Sequence, residues 1–229
     1  MPATPDTDVR HRPAVAFVAP FAAFVLLMMA EPLLEPLVAP VFDPRWLYAV
    51  RCGLALAALA AFRRHYAPLR PEAPAGPGRW LAAVGIGIGV FALWIALDLP
   101  LLVTGEADPY DASRGAGLAV GVVAVRWAGS ALVVPVIEEL FWRGFIMRWV
   151  HHPRFEGVDP RAVSWKALVV SSAVFALEHR LWFAGLLAGL AYGELYRRTG
   201  DLRLAVLAHA VTNALLGAWV VGTGAWGFW

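Results

Sequence analysis

About seven apolar stretches, most close to the ~20 residues that a membrane-spanning helix needs, follow one another between loops that hold most of the charge. That pattern confines the chain to a bilayer, because each stretch is too long and too uniformly apolar to be a strand or the half-buried face of a soluble helix. Composition agrees: 60% of the residues are hydrophobic and 16% charged, where a soluble globular protein carries about 25% charge. Helices are expected at roughly 14–32, 45–62, 80–103, 117–150 (in two pieces, broken near Pro135), 163–179, 181–197 and 202–221. No segment alternates apolar and polar residues as a barrel strand would. The expected fold class is therefore all-α, a polytopic transmembrane helical bundle of about seven helices (six to eight).

The cations set an orientation. Assigned to alternating loops, Arg10, Arg12, Arg63, Arg64, Arg70, Arg79, Arg143, Arg148, Arg154, Arg161, Lys166, Arg197, Arg198 and Arg203 fall on one side. Arg45, Arg114 and Arg180 fall on the other, beside Glu31, Glu35, Asp43, Glu106, Asp108 and Asp111. The positive-inside rule then predicts a cytoplasmic N-terminus and, after seven crossings, an external C-terminus. The net charge of +2 and the pI near 9.0 follow from that topology and do not point to nucleic acid. Arg10 and Arg12 precede the first apolar stretch as they would in a signal peptide, but no small-residue cleavage site follows it, so that helix is expected to be retained. Cys52 is the only cysteine, which excludes an intrachain disulfide and a thiolate zinc cluster.

The chain divides into N-terminal helices with a Pro- and Gly-rich loop (1–116), a helical core (117–221) and a short aromatic tail (222–229), all in one membrane domain. The loop from about 65 to 79 is too short to be a domain boundary. Arg51, Asp98, Arg126 and Glu194 lie in or near helices and are expected to snorkel or to pair across them. Trp226 and Trp229, like the tryptophans at other helix ends, are expected in the interfacial aromatic belt.

Three polar sets stand out in the core. Glu138 and Glu139 follow the apolar run Ala131–Ile137, where a single charge costs at least ~2.5–3.5 kcal/mol on insertion scales. Glu139 shares a helix face with Arg143 four residues on, while Glu138 points about 100° away. Phe175 and His179 have the same spacing, and so do His209 and Asn213 in the middle of an apolar helix. Each set alone is explained by interhelical hydrogen bonding, worth ~0.6 kcal/mol on average. Together they supply a base, an orienting group and oxyanion donors, and so point to a hydrolytic or metal site.

These motifs, EExxxR (Glu138, Glu139, Arg143), FxxxH (Phe175, His179) and HxxxN (His209, Asn213), in this order on successive helices, resemble the signature of the CPBP or ABI family of glutamate-type intramembrane proteases, which includes the CAAX prenyl endopeptidases. The resemblance covers roughly residues 117–221. More narrowly, VVPVIEELFWRGFIMRW, VFALEHRLWFAGLLAGLAY and LAHAVTN resemble the bacterial CAAX-protease-related proteins of exosortase and PEP-CTERM sorting systems. The resemblance implies that Glu138 is a general base activating water and that His179 shares or orients that water. It also implies that His209 and Asn213 stabilise the oxyanion, supported by Glu139, Arg143 and Phe175. No cofactor or metal is implied. The implied partners are the lipid bilayer, a membrane-associated protein or sorting-tail substrate and components of envelope protein sorting; the implied location is the bacterial inner membrane.

Three alternatives stay open. Glu138, His179 and His209 could form a His₂Glu zinc site, although the chain has no HExxH. It could be a non-catalytic scaffold or bacteriocin-immunity-type protein. A proton-relay transporter would also carry such groups, but would show two corresponding halves, and no internal repeat is found. One tension is internal to the assigned topology: Glu138 and His209 lie towards the cytoplasmic face and His179 near the opposite one. Either the helix bearing His179 is short and tilted, or it starts deeper than placed here and the number of crossings changes.

Overall fold

The computed structural model describes residues 13–66, 75–105 and 116–229; Arg10, Arg12, Arg70, Glu106, Asp108, Asp111 and Arg114 fall outside them. Among the described residues the chain is built from helices: α1 (Pro13–Val38), α2 (Leu47–Ala61), α3 (Pro77–Ala96), α4 (Ala116–Leu132), α5 (Val134–Glu139), α6 (Met147–His151), α7 (Trp165–Ala176), α8 (Trp182–Thr199) and α9 (Leu202–Thr223). A π-helical segment, Leu140–Ile146, joins α5 to α6, so α4 to α6 form one interrupted rod and the bundle has seven rods. Ala14–Val38, Pro77–Ala96, Val120–His151 and Leu202–Thr223 are long and apolar enough to cross a membrane. Leu26, Met29, Leu33, Leu81, Val120, Leu132 and Leu177 stay exposed on the bundle's outside, as lipid-facing side chains must. This is a helical membrane bundle.

Local chemistry explains where the helix ends differ from expectation. α1 runs past Glu31 to Val38 with Pro20, Pro32 and Pro36 inside it, and prolines are tolerated in membrane helices where neighbouring groups satisfy the freed carbonyls. α3 stops at Ala96 and does not reach 103, because Pro100 disfavours helical backbone at the residue before it. The break near Pro135 falls at Val133: a proline lacks the N–H that would bond four residues back, and its ring crowds that carbonyl. α7 has 12 residues, only ~18 Å at 1.5 Å per residue against a ~30 Å hydrocarbon core.

The N-terminal helices are part of the core. Phe21 stacks on Phe141 at 4.2 Å, and the Tyr66 hydroxyl donates to the Ala16 carbonyl at 3.0 Å. α3 lies so close to α9 that a Cβ on Gly87 would run into the Ala208 carbonyl, and Thr212 Oγ1 donates to Gly87 O at 2.8 Å across that contact. The Trp127 indole donates to Ala214 O at 2.9 Å, tying α4 to α9. Charges at membrane depth find partners: Arg51 pairs with Glu31 at 3.1 Å, Arg180 with Asp98 at 3.0 Å, and Glu194 with Arg197 and Arg198 at 2.6 and 2.7 Å. The Arg126 guanidinium lies over the Tyr48 ring at 5.1 Å.

Candidate active site

Glu139 is the anchor. It is 0% exposed, and its Oε1 receives Arg143 NH1 and His209 Nδ1, each at 3.0 Å. Arg143 continues the network by donating from its second terminal nitrogen to the Gly189 carbonyl at 3.3 Å. Its guanidinium lies over Phe175 at 4.5 Å and Tyr192 at 5.6 Å. Four of the rods, the interrupted one and α7, α8 and α9, thus converge on one buried ion pair. The π-helical segment that holds Arg143 is the kind of local irregularity that recurs at functional sites.

One helical step away, Glu138 faces a cavity of about 180 Å³ lined also by His179, His209 and Asn213. Its Oε2 is buried and has no hydrogen-bond partner among the described residues; His209 Nε2 lies 4.0 Å from it. The two carboxylates are therefore divided as the sequence spacing predicts, one tied into the scaffold and one facing the cavity.

Partners fix both imidazoles. His179 Nδ1 lies 3.0 Å from Phe175 O; a carbonyl only accepts, so Nδ1 carries the proton and Nε2 is left as an acceptor. The Phe175 ring is 4.6 Å from the His179 ring and Trp94 meets it edge-on at 5.3 Å. His209 likewise donates from Nδ1 to Glu139, leaving Nε2 towards Glu138. Its ring is stacked on Tyr192 at 5.0 Å and 18°, and the Tyr192 hydroxyl donates to Thr212 at 2.7 Å. Asn213 differs from expectation. One of its amide hydrogens is spent on Ser130 O at 2.8 Å, leaving a single N–H and Oδ1 for the cavity.

The depth tension resolves through α7. Because that helix ends at Ala176, Glu178 and His179 sit in the turn before α8, and His179 reaches the same cavity as Glu138, which itself lies well before the end of α6 at His151. Glu178 accepts from the Trp142 indole at 3.1 Å, fastening this turn to the π-helical segment. Sequence reasoning missed Trp94, Ser130, Tyr192, Thr212, Phe228 and Trp229, which also line the cavity. Tyr192 and Thr212 carried a faint signal as polar residues facing inward on apolar helices; the others carried none.

Residues 119–215 match the family model described as type II CAAX prenyl endopeptidase Rce1-like. The matched stretch runs from within α4 through most of α9, less than half of the chain, and contains Glu138, Glu139, Arg143, Phe175, His179, His209 and Asn213. It supports a CAAX-protease-type membrane protein. No curated protein and no solved structure matches the chain.

Proposed function

We propose that the protein is an intramembrane endopeptidase that hydrolyses a peptide bond in a membrane-associated protein or sorting tail. The observation that carries this is the convergence of Glu138, His179, His209 and Asn213 on one cavity, with Glu138 Oε2 lacking a hydrogen-bond partner among the described residues. Glu138 takes the proton of a water that His179 Nε2 also accepts from, which sharpens the water as a nucleophile. Attack on the scissile carbonyl places negative charge near His209 and Asn213, and collapse of the intermediate breaks the C–N bond as Glu138 gives the proton it took to the leaving nitrogen. Asn213 offers its remaining N–H. His209, held in place by its Nδ1 donation to Glu139, is the second group that stabilises the oxyanion.

The rival chemistry is a zinc site. Metal analysis of purified protein separates the two, because His209→Ala would abolish metal binding outright whereas Asn213→Ala removes no ligand. The glutamate mechanism expects activity that persists in chelator, and a His209→Ala/Asn213→Ala double variant hardly slower than the worse single, since both residues act on one oxyanion. About one zinc per chain, lost with His209, would replace the glutamate assignment. The substrate is sought as peptides that accumulate in membranes when Glu138 is changed. The wording around the motifs favours an unlipidated substrate of envelope sorting in a bacterial inner membrane; a prenylated peptide cleaved faster than its unmodified twin would reverse that choice.

The same proposal sets the orientation. Exposed cations cluster at the ends of α2, α6 and α8 and the start of α3, so reporter fusions after residues 70 and 160 are expected to read cytoplasmic, and those after 110 and 229 external. An external signal at 160 would invert the topology.

A further inference from the structure

The segment after α9 was expected to join an interfacial belt, yet it turns back over the cavity. Gly224 adopts φ +72° and its N–H closes onto Val220 O at 2.8 Å, the left-handed stop that ends a helix by reversing the chain. The short 3-10 turn Trp226–Phe228 follows. It brings Phe228 edge-on to Trp219 at 5.1 Å and places the Trp229 ring under the Arg126 guanidinium at 5.9 Å. Phe228 and Trp229 thereby span from α9 to α4, the two helices that supply Asn213 and its partner Ser130, and both line the cavity that holds Glu138.

Resting on the protease reading, we infer that Phe228 and Trp229 are specificity-determining residues: they form an aromatic end wall that limits the bulk of the substrate side chain seated beside the scissile bond. Two observations point the same way. The cavity offers only about 180 Å³, so what encloses it decides what enters. Trp94 also lines the cavity, set edge-on against His179. A cavity lined by Trp94, Phe228 and Trp229 suits an apolar segment with small side chains beside the scissile bond. An indole held beneath a guanidinium is a defined wall, since the cation adds attraction to the contact. The other cavity walls come from helices packed on both flanks, whereas this one can be trimmed without touching Glu138, His179, His209 or Asn213.

The test reads size exclusion without needing turnover. In a Cys52→Ser background, Ser130→Cys places a thiol on the cavity wall. Purified protein is labelled with a small methanethiosulfonate and, separately, with a bulky maleimide-fluorophore. The small reagent is expected to react at similar rates whether the wall is intact or replaced by Phe228→Ala/Trp229→Ala. The bulky reagent is expected to react at least tenfold faster once the wall is gone, and Trp229→Phe should restore exclusion. Equal rates for the bulky reagent with and without the wall would overturn the proposal, as would exclusion that survives loss of both rings. Because Glu138→Gln can be added throughout, labelling fails or succeeds independently of hydrolysis. If the wall is confirmed but no variant cleaves any peptide, the protease reading fails and the wall does not.

Discussion

Glu138→Gln is expected to reduce hydrolysis by ~10²–10⁴-fold, the usual contribution of a positioned general base, while the protein still inserts, folds and melts as the parent does. The asymmetry follows from what Glu138 touches. Its Oε2 has no hydrogen-bond partner among the described residues and lies 4.0 Å from His209 Nε2, so replacing the carboxylate by an amide of the same shape breaks no hydrogen bond of that oxygen. The nearby rival carboxylate is Glu178, one residue before His179. It is committed to the Trp142 indole, and Glu178→Gln, whose amide oxygen still accepts that N–H, is expected to keep most of the activity. Rates with reconstituted enzyme and a membrane peptide decide between them. Activity within tenfold of wild type in Glu138→Gln, together with its loss in Glu178→Gln, would move the base to Glu178.

Much of this site was legible from spacing alone, for a physical reason. Membrane helices hide their polar groups inside the bundle, so three pairs of polar or aromatic residues four apart on apolar helices had to face inward, and Glu139 had to share a face with Arg143. The same rule could not show which helices bring those faces to one depth. That depended on α7 ending after 12 residues, which neither a proline nor a glycine announces in the stretch Phe175–Arg180. Nor could spacing find partners contributed through the backbone, such as the Ser130 carbonyl that takes one hydrogen of Asn213, or the Gly189 carbonyl beneath Arg143. Trp94 escaped because, inside a helix expected to run over 80–103, one more apolar ring looks like ordinary lipid-facing or packing surface. Phe228 and Trp229 escaped because a single left-handed glycine decides whether a tail leaves the bundle or folds over it.

The opposite outcome is expected one residue further on. Glu139→Gln keeps an acceptor for Arg143 and His209 but removes the charge that balances a guanidinium 2% exposed. Breaking a buried pair from one side costs about 3–5 kcal/mol, because the remaining ion cannot return to water. Folded yield and the midpoint of denaturation in detergent should both fall, with activity falling alongside. Removing the charges together separates the two roles of this carboxylate. In Glu139→Met/Arg143→Met no ion is left unbalanced, so stability should recover well beyond that of Glu139→Gln, a non-additive result that a double-mutant cycle measures directly. Activity should not recover with it. His209 Nδ1 would still lack the acceptor that fixes its tautomer and its position, and the Tyr192 ring holds only the plane of the imidazole. A double variant that regains stability and full turnover would show that Glu139 serves only the ion pair and that His209 needs no anchoring carboxylate. One that regains neither would show that the Arg143 contacts to Gly189, Phe175 and Tyr192 hold the bundle together more than charge balance does.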